Sequence, residues 1–166
     1  MTKYFTNKFS IVNLYRKPST KSEIVTQMIY GDSFLILDEI KNWFKVRIQE
    51  DGYKGYIKKK IYSEFLKPTH KVSTLKSKIY KSSNKFKKIY ELPFGSKIKV
   101  LESKNKFFKF SKGWIPKKDV KPVSYREKNL FRKVLIFKNI KYKWGGKSFR
   151  GIDCSALTQI FLNFNN

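Results

Sequence analysis

The residues best suited to chemistry lie near the end of the sequence, in RGIDCSALTQIFLNF, where Cys154 is the only cysteine. Asp153 can cap a helix that begins at Cys154, because a carboxylate accepts a hydrogen bond from a backbone N–H of the first turn. The N–H groups at such a helix start favour the thiolate, and they can hold the oxyanion that forms when a thiolate attacks a carbonyl. This placement predicts a nucleophile, with an ordinary buried thiol as the alternative.

Two helices are predicted in the last third of the chain. Ser124 and Glu127 have the S-x-x-E spacing of a capping box. The apolar spacing after them predicts a helix of about three to four turns, with an apolar face made of Leu130, Phe131, Val134 and Leu135. Gly145 and Gly146 then interrupt the chain before the second helix. The apolar stripe of that second helix contains Leu157, Ile160, Phe161 and Phe164.

The first two thirds of the sequence contain two copies of one pattern. Its landmarks recur in the same order: LY at 14–15 as IY at 79–80, Gly31 as Gly95, WF at 43–44 as FF at 107–108, and GYI at 55–57 as GWI at 113–115. Short apolar runs bounded by Gly, Pro, Ser or Asn predict several short strands in each copy. The pattern resembles bacterial SH3 domains. We therefore expect a mostly β chain with two small SH3-like β-barrels, over residues 1–66 and 67–123, joined by a linker at 66–74.

The charge of the chain is strongly positive, with 38 basic and 12 acidic residues and a net charge of +26. Residues 67–123 alone contain 17 lysines and no arginine, against Glu91, Glu102 and Asp119. Weak binding to anionic polymers is expected from this charge, and salt should abolish it. A specific nucleic-acid partner is not expected, because the chain has only five arginines, whose planar guanidinium groups suit phosphate recognition. The high lysine content is also what an AT-rich coding sequence would produce.

The last third carries a motif, Y-x-W-G-G followed by G-I-D-C-S-A-L, that resembles the active-site stretch of the NlpC/P60 cysteine peptidases. The sequence has Ala156 where that family more often has glycine, which is a change between small residues. With SH3-like repeats in front, the chain resembles the γ-D-glutamyl-L-diamino acid endopeptidases of that family. The resemblance implies that residues 124–166 are the N-terminal, helical part of a papain-like α+β domain.

The same resemblance implies roles for individual residues. Cys154 would be the nucleophile, Asp153 and Ser155 would hold the N-terminal amine of the substrate, and Tyr53 and Tyr142 would contact the substrate. For Asp153 and Ser155 the alternative is a purely structural role at a helix start. For Tyr53 it is a plain turn aromatic, and for Tyr142 it is packing in the core. Trp144 is expected to pack in the core.

The implied reaction is hydrolysis of murein peptides that have a free N-terminal L-Ala, between γ-D-Glu and the diamino acid, with no cofactor and no metal. In that family a histidine after the cysteine is the base, but the only histidine here is His70, in the expected linker. We therefore expect the front part of a longer enzyme, inactive alone, whose last helix is loosely held or docks on the barrels. The alternative is a non-catalytic module that binds cell-wall peptide or an anionic polymer. With no signal-peptide or transmembrane segment recognised, a cytoplasmic location is expected.

Overall fold

The computed structural model describes residues 4–84 and 87–166, and it contains 44% strand and 14% helix. The prediction of a mostly β chain is confirmed. The strands have the alternation that a half-buried sheet requires, as in the strand Lys54–Lys58, where Gly55 and Ile57 are buried and their neighbours are not. No helix within the described residues is long and apolar enough to cross a membrane.

The first SH3-like unit is a seven-stranded antiparallel sheet within residues 4–64. Its strands are β1 (Tyr4–Thr6), β2 (Ile11–Tyr15), β3 (Ile24–Ile29), β4 (Ser33–Ile40), β5 (Trp43–Ile48), β6 (Lys54–Lys58) and β7 (Ser63–Glu64). Their order across the sheet is β3-β2-β6-β5-β4-β1-β7. The fully buried apolar side chains of this unit form one core, made of Leu14, Met28, Phe34, Val46, Ile48 and Ile57.

The second copy of the pattern forms two smaller sheets. Its strands are β8 (His70–Val72), β9 (Lys76–Tyr80), β10 (Lys88–Pro93), β11 (Lys97–Ile98), β12 (Glu102–Lys104), β13 (Phe107–Phe110), β14 (Gly113–Pro116) and β15 (Val120–Pro122). One sheet has the order β10-β9-β14-β13-β12 and the other β11-β8-β15. The prediction that His70 lies in a linker is therefore wrong, because His70 begins β8, which pairs with β11 and β15. The next two residues of this strand, Lys71 and Val72, are buried in the sheet.

The two units pack directly against each other. Tyr30, which follows β3, is buried in the core of the second unit, and its hydroxyl is hydrogen-bonded to that of Ser111 at 3.1 Å. Gly31 has φ +88°, and a Cβ atom there would lie 2.2 Å from the backbone oxygen of Lys97. Only glycine permits this approach of the two backbones. The boundaries expected at residues 66 and 123 stay predictions.

The first predicted helix is shorter than expected and begins later. Helix α1 spans Leu130–Val134, and a 3₁₀ turn, Leu135–Phe137, continues it. Asn129 caps α1 by accepting a hydrogen bond from the backbone N–H of Arg132, so the capping box expected at Ser124 and Glu127 is wrong. The reason is competition from the sheet, because β15 runs to Pro122 and the chain must turn before it can form a helix. The side chain of Phe131, part of the predicted apolar face, lies outside what the structure describes.

The second predicted helix is confirmed as α2, which spans Cys154–Asn165. It follows a short hairpin of β16 (Lys147–Ser148) and β17 (Gly151–Ile152). In the predicted stripe, Leu157 is partly buried and the other three side chains are fully buried. Those three pack against Phe94 of the second unit and Ile29 of the first. Of the two expectations for this helix, loose or docked, the structure shows the docked one.

Candidate active-site cleft

A cleft of about 480 Å³ lies between the first sheet and the start of α2. It contains all five residues that the sequence predicts for the site, namely Tyr53, Tyr142, Asp153, Cys154 and Ser155. The other side chains that line it are those of Arg16, Glu23, Val25, Lys54 and Trp144. The first sheet therefore forms one wall of the cleft, and the segment around the thiol forms the other.

Cys154 is the first residue of α2, and its side chain is exposed. Asp153 caps the helix, because its Oδ1 accepts hydrogen bonds from the backbone N–H of Ala156 at 2.7 Å and from the Ser155 hydroxyl at 2.8 Å. The sulfur therefore stands where the helix dipole and unpaired N–H groups favour an anion. The alternative of a buried thiol is wrong.

The same carboxylate fixes the turn that leads to the helix. Oδ2 of Asp153 accepts a hydrogen bond from the backbone N–H of Gly145 at 2.9 Å, and the Asp153 N–H donates to the oxygen of Gly146 at 3.2 Å. Gly145 has φ +66°, and a Cβ there would lie 2.5 Å from the backbone oxygen of Ile24 on β3. Glycine thus lets this turn lie directly against the first sheet.

Tyr53 lies in the turn between β5 and β6, and the backbone of the turn holds it in place. Its N–H donates to Oδ1 of Asp51 at 3.2 Å, and its carbonyl accepts from the N–H of Ile48 at 2.9 Å. The ring packs on the core of the first unit at one side and lines the cleft at the other. Tyr142, by contrast, is 65% exposed, so packing in the core is wrong for it.

The sequence predicts that Trp144 packs in the core. This prediction is wrong, because 63% of the residue is exposed. Its indole N–H donates to Oε1 of Glu23 at 2.8 Å, and Arg16 donates to Oε2 of the same carboxylate at 2.7 Å. These two hydrogen bonds, with that of Arg16 the stronger, lower the pKa of Glu23. The sequence gives no signal for this group, because Glu23 and Trp144 are far apart along the chain.

The cleft carries charges of both signs, with Glu23 and Asp153 against Arg16 and Lys54. A ligand with both a free amine and a carboxylate would match this arrangement. His70 does not line the cleft. Its ring instead packs on Phe108 of the second unit, with 4.8 Å between ring centroids, and burial lowers its pKa.

A buried group of charges lies next to the turn that carries Tyr53. Nζ of Lys147 lies 2.8 Å from Oδ2 of Asp51 and 3.8 Å from Oδ2 of Asp32. Burial raises the pKa of Asp32 to about 7, and the negative charge of Glu50 adds to this, while Lys147 and Lys97 oppose it. Lys147 cannot cancel the effect of burial on Asp32, because its ammonium is closer to Asp51. The same carboxylates raise the pKa of Lys147 against the effect of its own burial.

Comparison with known proteins supports the sequence resemblance. Residues 14–60 match the family model described as the bacterial dipeptidyl-peptidase SH3 domain. The chain is 28% identical to the gamma-D-glutamyl-L-lysine dipeptidyl-peptidase of Bacillus subtilis (strain 168), over 82% of this chain and 52% of that protein. This chain therefore spans about half the length of that relative.

A solved structure of an NlpC/P60 family protein from Bacillus cereus ATCC 10987 shares the fold. It superposes with a TM-score of 0.77 at 16% sequence identity, over 98% of this chain and 72% of that one. The resemblance to NlpC/P60 proteins with bacterial SH3 domains, drawn from the sequence motifs, is thereby confirmed. Together these findings support a function within a family of peptidases.

Proposed function

We propose that this chain forms the thiol side of a cysteine endopeptidase that cleaves murein peptides between γ-D-Glu and the diamino acid. One observation carries the proposal. The only thiol of the chain is exposed at the start of α2 and opens onto a cleft whose far wall is the first SH3-like sheet. The name of the Bacillus subtilis relative, a gamma-D-glutamyl-L-lysine dipeptidyl-peptidase, supports the choice of substrate.

The chemistry follows from where the sulfur lies. The Cys154 thiolate attacks the carbonyl carbon of the γ-D-glutamyl group, and the carbonyl oxygen becomes an oxyanion that the N–H groups of the first turn of α2 stabilise. The C–N bond then breaks, and the amine of the diamino acid leaves with a proton. Water hydrolyses the resulting thioester, releasing the γ-D-glutamyl carboxylate and restoring the thiol.

The free amine of the substrate would lie beside Asp153. Three donors already bind this carboxylate, two of them to Oδ1 and one to Oδ2. A carboxylate can accept about four hydrogen bonds, so Oδ2 can still accept one from an ammonium group. Ser155 would act mainly by orienting Oδ1. Arg16 and Lys54, on the wall formed by the first sheet, could pair with a carboxylate of the same peptide.

Hydrolysis also needs a base that removes the thiol proton and then protonates the leaving amine. The only histidine of the sequence is His70, which does not line the cleft. We therefore expect these 166 residues to bind the peptide and to react with electrophiles at Cys154, but not to turn over substrate unless a base is supplied from outside them.

The test uses the 166-residue chain and an affinity label, L-Ala-γ-D-Glu with a chloromethyl ketone at the scissile carbonyl. We expect one adduct at Cys154 by mass spectrometry, formed faster than with the N-acetylated label, and no adduct with Cys154→Ser. Equal rates for the free and acetylated labels would remove amine recognition from the proposal. Failure of both labels to react with Cys154, while iodoacetamide does, would refute the peptide-binding cleft itself.

A second candidate function is the binding of an anionic polymer by the second unit. The observation behind it is the excess of lysines in residues 67–123, several of which lie over aromatic rings, such as Lys109 over Trp114 and Lys117 over Phe108. Binding of this kind should weaken steeply with salt and should not depend on Cys154. Binding of the polymer that survives moderate salt would point instead to a specific site.

A further inference from the structure

Lys147 is an ion-paired lysine that is almost completely removed from water. Only 2% of its side chain is exposed, and the side chains of its partners Asp51 and Asp32 are 1% and 4% exposed. Burying a charge costs several kcal/mol even when it is paired, and apolar residues of similar size often serve as well or better. Stability alone therefore does not account for a lysine at this position.

Asp51 links the two walls of the cleft. Its Oδ2 accepts a hydrogen bond from Nζ of Lys147 at 2.8 Å, and its Oδ1 accepts one from the N–H of Tyr53 at 3.2 Å. Lys147 belongs to the hairpin that leads to Cys154, and its own N–H donates to the Gln27 side chain on β3 at 2.9 Å. One carboxylate thus holds both the turn of Tyr53 and the segment that carries the thiol.

We propose that the Lys147–Asp51 ion pair positions the Tyr53 ring opposite the Cys154 sulfur across the cleft. A buried, charge-assisted hydrogen bond has a defined length and direction, whereas an apolar contact at the same place would let the two segments slide. Under the proposed function Tyr53 touches the substrate and Lys147 acts only through it, so Lys147 is a positioning residue. The relevance to catalysis rests on that function, but the geometry does not.

The experiment reports the distance between the ring and the sulfur without any substrate. Cys154 is the only cysteine, so monobromobimane labels the intact chain at one site. Bimane fluorescence is quenched by an aromatic ring in contact with it, and the variant Tyr53→Leu measures how much of the quenching comes from Tyr53. The bimane fluorescence of Lys147→Met and of the double variant Lys147→Met/Asp51→Asn is compared with that of Tyr53→Leu. Urea unfolding gives the free energy of unfolding of each variant.

We expect Lys147→Met to be less stable than the native chain, and its bimane fluorescence to be as high as that of Tyr53→Leu. The double variant lacks the unpaired buried carboxylate of Asp51, so it should regain much of the lost stability. Its bimane fluorescence should nevertheless stay as high as that of Lys147→Met. Lys97→Met is the matched control, because it removes the partner of Glu50, 3.2 Å away, without touching Asp51. In that variant the bimane fluorescence should stay as strongly quenched as in the native chain.

A purely structural role predicts a different result, in which stability and quenching recover together in the double variant. That outcome would overturn the proposal. So would a folded Lys147→Met chain whose bimane fluorescence is still quenched, or a Tyr53→Leu chain whose fluorescence is no higher than that of the native chain. If Lys147→Met does not fold, the double variant decides alone. If the bimane results hold but the peptide label fails to react, the positioning stands and the proposed function falls.

Discussion

Phe94 provides the ring contacts between α2 and the second SH3-like unit. Its ring is fully buried, and its centroid lies 4.6 Å from that of Phe164, 5.0 Å from that of Phe161 and 6.0 Å from that of Phe137. The Cys154 thiol stands at the start of the same helix. Replacing Phe94 by alanine therefore tests whether the second SH3-like unit holds the nucleophile in place.

The size of the effect follows from burial. Truncating a buried phenylalanine to alanine costs about 3–5 kcal/mol, because transfer from water is lost and a cavity remains. The contacts with other rings exclude the lower end of that range, since each favourable ring pair adds roughly 0.5–1.5 kcal/mol. We expect a loss of about 4 kcal/mol, which is a large share of the 5–15 kcal/mol that stabilises a typical domain.

Two measurements check this prediction. Urea unfolding gives the free energy, and with a slope of about 2 kcal/mol per molar urea the midpoint should fall by roughly 2 M. Hydrogen exchange then locates the effect. The amides of α2 should lose protection well before those of the first sheet, because the helix opens locally once its main contact is gone.

Phe110→Ala is the matched control. Phe110 is 2% exposed, but it lies in the core of the second unit itself and not in the cluster around α2. It should cost a similar free energy without selective exchange of the α2 amides. A loss below about 1 kcal/mol for Phe94→Ala, or equal exchange of the α2 amides in the two variants, would refute the docking of α2 on the second unit.

Three further predictions concern the buried charge, the helix cap and the turn. Burial raises the pKa of Asp32 from 3.8 to about 7, so between those pH values the folded chain binds more protons than the unfolded chain, and the free energy of unfolding should fall as pH rises. Asp32→Asn should remove up to about 4 kcal/mol of that dependence, and equal pH slopes in both chains would contradict it. Asp153→Ala should cost about 1–2 kcal/mol in urea unfolding, and Asp153→Asn clearly less, because asparagine still caps. Gly145→Ala should cost about 1–3 kcal/mol, and more than Gly52→Ala, since both have positive φ but only Gly145 has a backbone oxygen, that of Ile24, in the path of a Cβ. Equal losses at the two glycines would show that φ alone matters.

The sequence predicts those parts of the molecule that depend on local spacing. The strands of the two repeats and the start of α2 at Cys154 depend on residues close together in the chain, and the structure confirms them. The predicted start of the first helix is wrong because β15, in which Pro122 pairs with His70 of β8, prevails over a local capping box at Ser124. The prediction for Trp144 is wrong for a similar reason, since its partner Glu23 lies far away in the sequence, just before β3 of the first unit.

The cleft itself is a tertiary feature, and no local pattern could contain it. The thiol comes from the last third of the chain, whereas Tyr53 and Glu23 come from the first SH3-like unit, between β5 and β6 and just before β3. They meet because Gly145 lets the turn before α2 lie against β3, and because Phe94 of the second unit receives the apolar face of α2. The two SH3-like units thus act on the thiol in different ways. The first provides the opposite wall of its cleft, and the second fixes the helix that carries it.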